Sequence, residues 1–159
     1  MAKKLVAYFS AGGITARLAQ TLAAAAGAAL YEIRPAVPYQ RGDLNWMDKK
    51  ARSTVEMADP NFRTEMADTA APVAEADVIF LGFPIWWYRE PSIIDTFLEA
   101  YDFAGKTVVP FYTSGGSPLG EGQSRIAALA KGAKVLPGKR FSARAKEEEL
   151  KSWIAGMGC

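Results

Sequence analysis

An α/β fold built on a parallel sheet is the architecture this sequence predicts, and three observations lead to it. Short apolar runs, among them VIFLGF and TVVPFY, alternate with longer segments of helical spacing, the order expected of βαβ units. The runs are apolar without clean alternation, as strands covered by helices on both faces must be. Gly-rich turns follow the first and fourth runs, where the chain leaves a buried strand and has to curl before a helix begins.

Five strands are expected, at Lys4–Phe9, Ala29–Arg34, Val78–Phe83, Thr107–Tyr112 and Lys134–Phe141. Pro110 lies inside the fourth and lacks the N–H that a ladder uses. Between the strands, Thr15–Ala26 is Ala/Leu-rich, Ser92–Tyr101 carries apolar residues at helical spacing after Pro91, and Gly122–Lys131 and Lys146–Met157 read the same way. The stretch from Pro35 to Pro72 is long and polar, with Trp46, Met47 and Met57 scattered through it; one helix over Leu44–Met57 plus irregular chain is expected there. No internal repeat or linker interrupts the pattern, and 159 residues suit one core, so residues 1–159 are read as a single domain.

Composition narrows the chemistry. With 19 Lys+Arg against 17 Asp+Glu, the chain has no electrostatic footprint for duplex nucleic acid or an anionic membrane. No apolar stretch reaches the roughly 20 residues that span a bilayer, and the start MAKKLVAYFS shows no signal-peptide pattern, so a cytoplasmic protein is expected. The single cysteine, Cys159, excludes an internal disulfide and a cysteine metal cluster. The lack of any histidine removes the usual zinc sites, a Ser-His-Asp triad and imidazole acid/base chemistry.

In an open parallel sheet the ligand crevice lies at the carboxyl ends of the strands, where strand order reverses. The loops after strands 1, 3 and 4 are therefore the informative ones. The first, Ser10-Ala11-Gly12-Gly13-Ile14-Thr15, opens a helix. Its glycines let successive N–H groups point into one concavity beside two hydroxyls, which makes a phosphate nest. It has no lysine where nucleoside triphosphate hydrolysis would need one. The second, Pro84-Ile85-Trp86-Trp87-Tyr88-Arg89-Glu90-Pro91, carries three consecutive aromatics that cannot all face the core, so at least one offers a flat apolar wall. The third, Thr113-Ser114-Gly115-Gly116-Ser117, presents hydroxyls and unobstructed backbone N–H groups suited to the polar edge of a ring. Taken singly, the Gly-rich turns are also what plain strand-to-helix connections look like, and the tryptophans could staple the loop to a helix or form a dimer contact. Taken together, the three loops describe a ligand with a phosphate at one end and a planar polar ring at the other, which FMN fits best. A dinucleotide reader would show Gly-x-Gly-x-x-Gly and an acidic end to strand 2, whereas strand 2 here ends in Ile33-Arg34-Pro35.

These residues resemble the short-chain flavodoxin-like family over nearly the whole chain. The likeness is carried by VAYFSAGGITARLA, LYEIRPAVPYQRGDLNW, ARSTVEM and DVIFLGFPIWWYREP, followed by FLEAYDFAGKTVVPFYTSGGSPLG. The resemblance implies a three-layer sandwich, a parallel sheet of order 2-1-3-4-5 with helices on both faces, and FMN. Ser10, Gly13 and Thr15 would bind its phosphate, with Gly12 and Ile14 in the same loop. Pro84, Ile85, Trp86, Trp87 and Tyr88 would lie against the isoalloxazine, and Thr113 to Ser117 around its pyrimidine side. Many relatives carry further hydroxyl or amide side chains where this chain has Gly12 and Ile14. Up to two donors to the phosphate are thus missing, each typically worth about 1.5–3 kcal/mol when the partner is charged. The resemblance also places Tyr39 and Asp43 to Trp46 near the flavin as a partial lid, although packing against a helix explains Trp46 equally well.

Two functions follow as expectations. The first is an electron carrier docking with redox partner proteins. The alternative is an FMN-dependent NAD(P)H:quinone-type oxidoreductase passing electrons to small acceptors. A monomer or weak homodimer is expected in either case. The slight excess of positive charge, with Arg41 and Arg89 near the site partly opposed by Asp43 and Glu90, predicts a less reducing flavin than in an acidic flavodoxin.

Overall fold

The computed structural model describes residues 3–114 and 116–159. In chain order its elements are β1 (Lys4–Tyr8), α1 (Ile14–Ala26), β2 (Ala29–Glu32), α2 (Arg52–Ala58), β3 (Val78–Pro84), α3 (Ser92–Ala100), β4 (Thr107–Thr113), α4 (Gly122–Leu129), β5 (Lys134–Val135), β6 (Lys139–Arg140) and α5 (Glu147–Met157). Short 3-10 turns occur at Arg41–Leu44 and Val73–Glu75. All the sheet pairings are parallel, in the order β2-β1-β3-β4-β5, with β6 also paired to β4. The order reverses between β1 and β3, which opens the crevice between the loops that follow them. No helix among the described residues is long and apolar enough to cross a membrane.

The sheet is buried on both sides, which explains its unbroken apolar strands. On one face Leu5, Ala7, Phe9, Ile79, Leu81 and Phe83 pack with Ile93, Ile94 and Phe97 of α3 and Ile126 of α4. On the other, Val6, Tyr8, Phe80, Val109 and Phe111 pack with Leu18 and Leu22 of α1 and Leu150 and Ile154 of α5. Gly82 sits opposite Phe111 in register, and a Cβ there would lie 2.2 Å from the Phe111 ring. Glycine is thus what admits that ring.

Two expected elements are corrected. The fifth strand, read as Lys134–Phe141, divides into β5 and β6 around Leu136-Pro137-Gly138. The break falls beside Pro110: Val108 pairs with Val135 and Phe111 with Lys139, so the residue without an N–H coincides with the stretch that makes no ladder. The side chain of Gln123 on α4 bridges the gap, donating to the Leu136 carbonyl (3.0 Å) and accepting from the Gly138 N–H (2.8 Å). The single helix expected over Leu44–Met57 is instead the 3-10 turn Arg41–Leu44 and, after seven intervening residues, the short α2. Asn45, Asp48 and their neighbours form side-chain turns between the two, with Asn45 Oδ1 accepting from the Met47 N–H and Asp48 Oδ1 from the Lys50 N–H.

Candidate functional site

The first loop behaves as its glycines require. Gly13 takes a left-handed conformation at φ +85°, and its N–H donates to Ser10 Oγ at 3.1 Å. The earliest bond of α1 recorded at this end runs from the Arg17 N–H to the Gly13 carbonyl, so the amides of Ile14, Thr15 and Ala16 form the open, positive end of the helix. Nothing lies within 4 Å of a Cβ built on Gly12 or Gly13. The concavity is therefore made of backbone. Ile14 is exposed, and the buried Thr15 hydroxyl is hydrogen-bonded to Thr113 Oγ1 at 2.8 Å, which fastens the first loop to the end of β4.

After β3 the chain makes a two-residue turn of an unusual kind. The Trp86 N–H donates to the Arg89 carbonyl (3.1 Å) and the Arg89 N–H to the Trp86 carbonyl (3.3 Å), while Trp87 and Tyr88 between them have φ of +50° and +63°. That is a type I′ turn, which normally calls for Asn or Gly. Left-handed backbone at such residues costs on the order of 1–3 kcal/mol each. Trp86 is half-buried, edge-on to Phe9 (5.5 Å) and Tyr39 (5.3 Å), and Trp87 and Tyr88 are exposed. The expected aromatic wall is present. Gly120, at φ +60°, lets the 118–120 turn approach the Tyr88 carbonyl, where a Cβ would come within 2.7 Å.

Beyond β4, Ser114 Oγ donates to the Ser117 carbonyl (2.7 Å) and accepts from the Gly116 N–H (3.2 Å). Arg140 on β6 donates to the Ser114 carbonyl at 2.9 and 3.1 Å. The Ile85 N–H donates to the Thr113 carbonyl (3.0 Å), joining the second informative loop to the third. Gly115, expected at the ring edge, lies outside the described residues.

The segment after β2 folds over these loops. Tyr39 packs on Trp86 and donates to Glu56 Oε1, with Arg52 stacked 3.9 Å from the Tyr39 ring centroid. Arg52 Nε also donates to Glu56 Oε2 (2.8 Å) and Thr64 to Glu56 Oε1 (3.0 Å). Burial, then the bond to Glu56, pushes the Tyr39 phenol well above its usual range. This clasp presents Leu44 and Trp46 to the crevice. Trp46 is 70% exposed, so helix packing is not its role.

Two neighbouring cavities lie in the crevice. The smaller, about 150 Å³, is bounded by the first loop together with Leu44, Pro84, Trp86 and Thr113. The larger, about 600 Å³, is lined by Leu44, Trp46, Ser53, Ile85, Trp86, Trp87, Tyr88 and Ser117. Leu44 and Trp86 border both, so a nest of backbone amides lies beside an aromatic chamber that no charged side chain among the described residues lines. Ser53 Oγ is buried there without a hydrogen-bond partner, a state that ordinarily costs about 1–3 kcal/mol.

Arg89 and Glu90 do not face the crevice, contrary to the expectation that they set its charge. Both are buried behind the turn, Glu90 completely, against the buried Asp95 of α3 and the partly exposed Arg125 of α4. Arg125 donates from Nε to Glu90 Oε2 (3.0 Å) and from Nη2 to Asp95 Oδ2 (2.6 Å). Burial first, then hydrogen bonding to Asp95 and its charge, pushes the Glu90 carboxyl up to about 8. Burial, then the positive charge of Arg125, lowers Arg89 from its usual value.

Known proteins show the same architecture. The model of a family described as flavodoxin matches residues 3–157. The chain belongs to the flavodoxin family. It is similar to two provisionally assigned flavoproteins of known structure. That from Bacteroides eggerthii is 42% identical, with 100% of this chain and 99% of that one covered and a TM-score of 0.94. That from Bacteroides uniformis is 45% identical, with coverage of 97% and 98% and a TM-score of 0.91. A Lactobacillus acidophilus flavoprotein solved in complex with FMN shares the fold at 20% identity, with coverage of 96% and 99% and a TM-score of 0.67. Among curated proteins none matches.

Within this flavodoxin-family site, the structure brings Ser10, Gly12, Ile14, Thr15, Pro84, Ile85, Trp86, Trp87, Tyr88, Thr113 and Ser117 to the two cavities. Gly13 shapes the loop through its backbone, and Ser114 and Gly116 are engaged in their own turn. Leu44 belongs to the Asp43–Trp46 lid that the resemblance implies, whereas nothing in the sequence marks Ser53 as a site residue. The segments that contain them, DLNW and ARSTVEM, did carry the family likeness. Helical spacing gave no way to see that a seven-residue helix would turn Ser53 toward the chamber.

Proposed function

We propose that this flavodoxin-family protein binds one FMN non-covalently and serves as an electron carrier. The observation that carries the reading is the adjacency of the two cavities: an amide nest at the start of α1 and an aromatic chamber share Leu44 and Trp86 as lining. FMN has a phosphate and a planar ring at its opposite ends, and this site offers a matching partner for each. The open N–H groups of α1 and Ser10 suit the dianionic phosphate. Trp86 and Trp87 offer apolar surface for the ring. The unpartnered Ser53 hydroxyl supplies a polar contact for a ring edge, and a relative of the same fold was solved with FMN.

When bound, FMN supplies the redox chemistry, one or two electrons at a time. The protein's part is placement and field. Thr15 and Thr113 hold the two glycine-rich loops together, Tyr39 and Arg52 hold the lid, and the exposed rim of Trp46, Trp87 and Tyr88 gives a redox partner an apolar landing surface. Because no carboxylate lines the chamber, negative charge developing on the ring meets little opposition, and we expect a less reducing flavin than in an acidic flavodoxin. A potentiometric titration that gave a strongly negative second step would contradict this.

A second reading, an FMN-dependent NAD(P)H:quinone-type oxidoreductase, is favoured by the size of the chamber and its exposed aromatic rim. Steady-state assay with NADPH and a soluble quinone separates the two. A carrier turns over only when a reductase is added, and an oxidoreductase turns over without one.

A further inference from the structure

We propose that Glu90 is held as the carboxylic acid and donates a hydrogen bond to Asp95, and that this pair, gripped by Arg89 and Arg125, is the positioning element that sets the left-handed Trp87–Tyr88 turn at the mouth of the chamber. Glu90 Oε1 and Asp95 Oδ1 are both fully buried, and neither has a hydrogen-bond donor among the described residues, while the other oxygen of each carboxyl is bonded to the same Arg125 guanidinium. Two carboxylates so placed would leave two lone-pair faces unsatisfied and two negative charges side by side. One proton on Glu90 removes both faults, since an O–H on that carboxyl is the donor that both free oxygens lack.

The cluster ties the turn to α2, α3, α4 and the chain at Pro60. Arg89 Nη2 donates to the Met57 carbonyl at the end of α2 (3.1 Å), and Arg125 Nη2 donates to the Pro60 carbonyl (3.0 Å). Gly122 keeps α4 close, since a Cβ there would stand 3.0 Å from Glu90 Oε1. The charged groups around Glu90 are Asp95 and, farther along α3, Glu99, then Arg125 of α4 and Glu121 just before that helix, Arg63 of the chain after α2, and Arg89 itself. Arg63 is largely committed to Glu99. Arg89 and Glu90 directly follow Trp87 and Tyr88, so whatever fixes them fixes the two strained residues. Ionising Glu90 would set it against Asp95 and release that hold.

The protonation stands on the protein alone. Only its consequence for cofactor binding rests on the FMN reading. Infrared spectra of the wild type against pH should show a buried carboxylic-acid carbonyl band at pH 6.5 that disappears with a midpoint near 8, and Glu90→Gln should lack the band at every pH. Tryptophan emission of the wild type should change with the same midpoint, while Glu90→Gln stays constant. FMN affinity should fall several-fold above that midpoint in the wild type and stay level in the variant. Absence of the band at pH 6.5, its persistence in Glu90→Gln, or tryptophan emission that ignores the transition would overturn the proposal. If Glu90→Gln does not fold, carbon-detected NMR of the wild-type glutamate carboxyls decides it, since one of them must titrate near 8. A protein that shows the band and the emission change yet binds no FMN would retain the dyad and refute the cofactor reading.

Discussion

At the residue scale, Ile14 and Ser53 represent opposite kinds of departure from what their surroundings ask. Ile14 is an exposed apolar side chain at the mouth of an anion nest, where a hydroxyl or amide would add a donor. Ile14→Thr should therefore tighten FMN binding by about tenfold, given the 1.5 kcal/mol or more typical of a hydrogen bond to a charged group, as read by fluorescence titration. Ser53 has the polar group and lacks the partner. Ser53→Ala should leave the stability of the FMN-free protein unchanged or slightly higher and weaken FMN binding several-fold; loss of stability without loss of affinity would show that the hydroxyl serves the fold alone. Thr15→Val removes one half of a buried pair and leaves Thr113 Oγ1 unsatisfied, so urea unfolding should register a loss of about 1–3 kcal/mol.

At the scale of elements, the strands and the long helices follow from patterns visible in the sequence. VIFLGF and TVVPFY are strands because both faces of the sheet are covered, and the helices that follow Gly13 and Pro91 start within a residue of where their apolar spacing begins. What was not legible depended on pairs of residues far apart in the chain. The split of the last strand follows from Pro110 having no N–H and from Gln123 standing in for the lost ladder. Since Gln123 satisfies one carbonyl and one amide, Gln123→Ala should cost about 1–3 kcal/mol in chemical denaturation, with greater hydrogen exchange at 134–140. The three convergent loops were legible from glycines and aromatics. The folding of the 35–72 segment over them was not, because it depends on Tyr39, Arg52, Glu56 and Thr64 meeting around one carboxylate. Arg89 and Glu90 were expected at the crevice because they adjoin Trp87 and Tyr88 in sequence, and the type I′ turn sends them inward instead.

Over the whole molecule, the parallel sheet gathers the ends of β1, β3 and β4 at one edge, and the strain of the Trp87–Tyr88 turn is carried there by contacts from α2, α3 and α4. The buried Glu90 makes global stability depend on pH with a definite sign. The folded protein keeps the proton up to about pH 8, whereas the unfolded chain releases it near the ordinary glutamate value of 4.5. Stability contributed by that proton is thus full below 4.5, declines as pH rises through this window and levels off above it. Thermal unfolding of the wild type between pH 5 and 9 should show that decline, and Glu90→Gln should flatten it. Purified protein, supplemented with FMN and desalted, should show the absorbance of oxidised flavin at one equivalent per chain with tryptophan emission quenched on titration. No bound flavin and no quenching at saturating FMN would contradict the account.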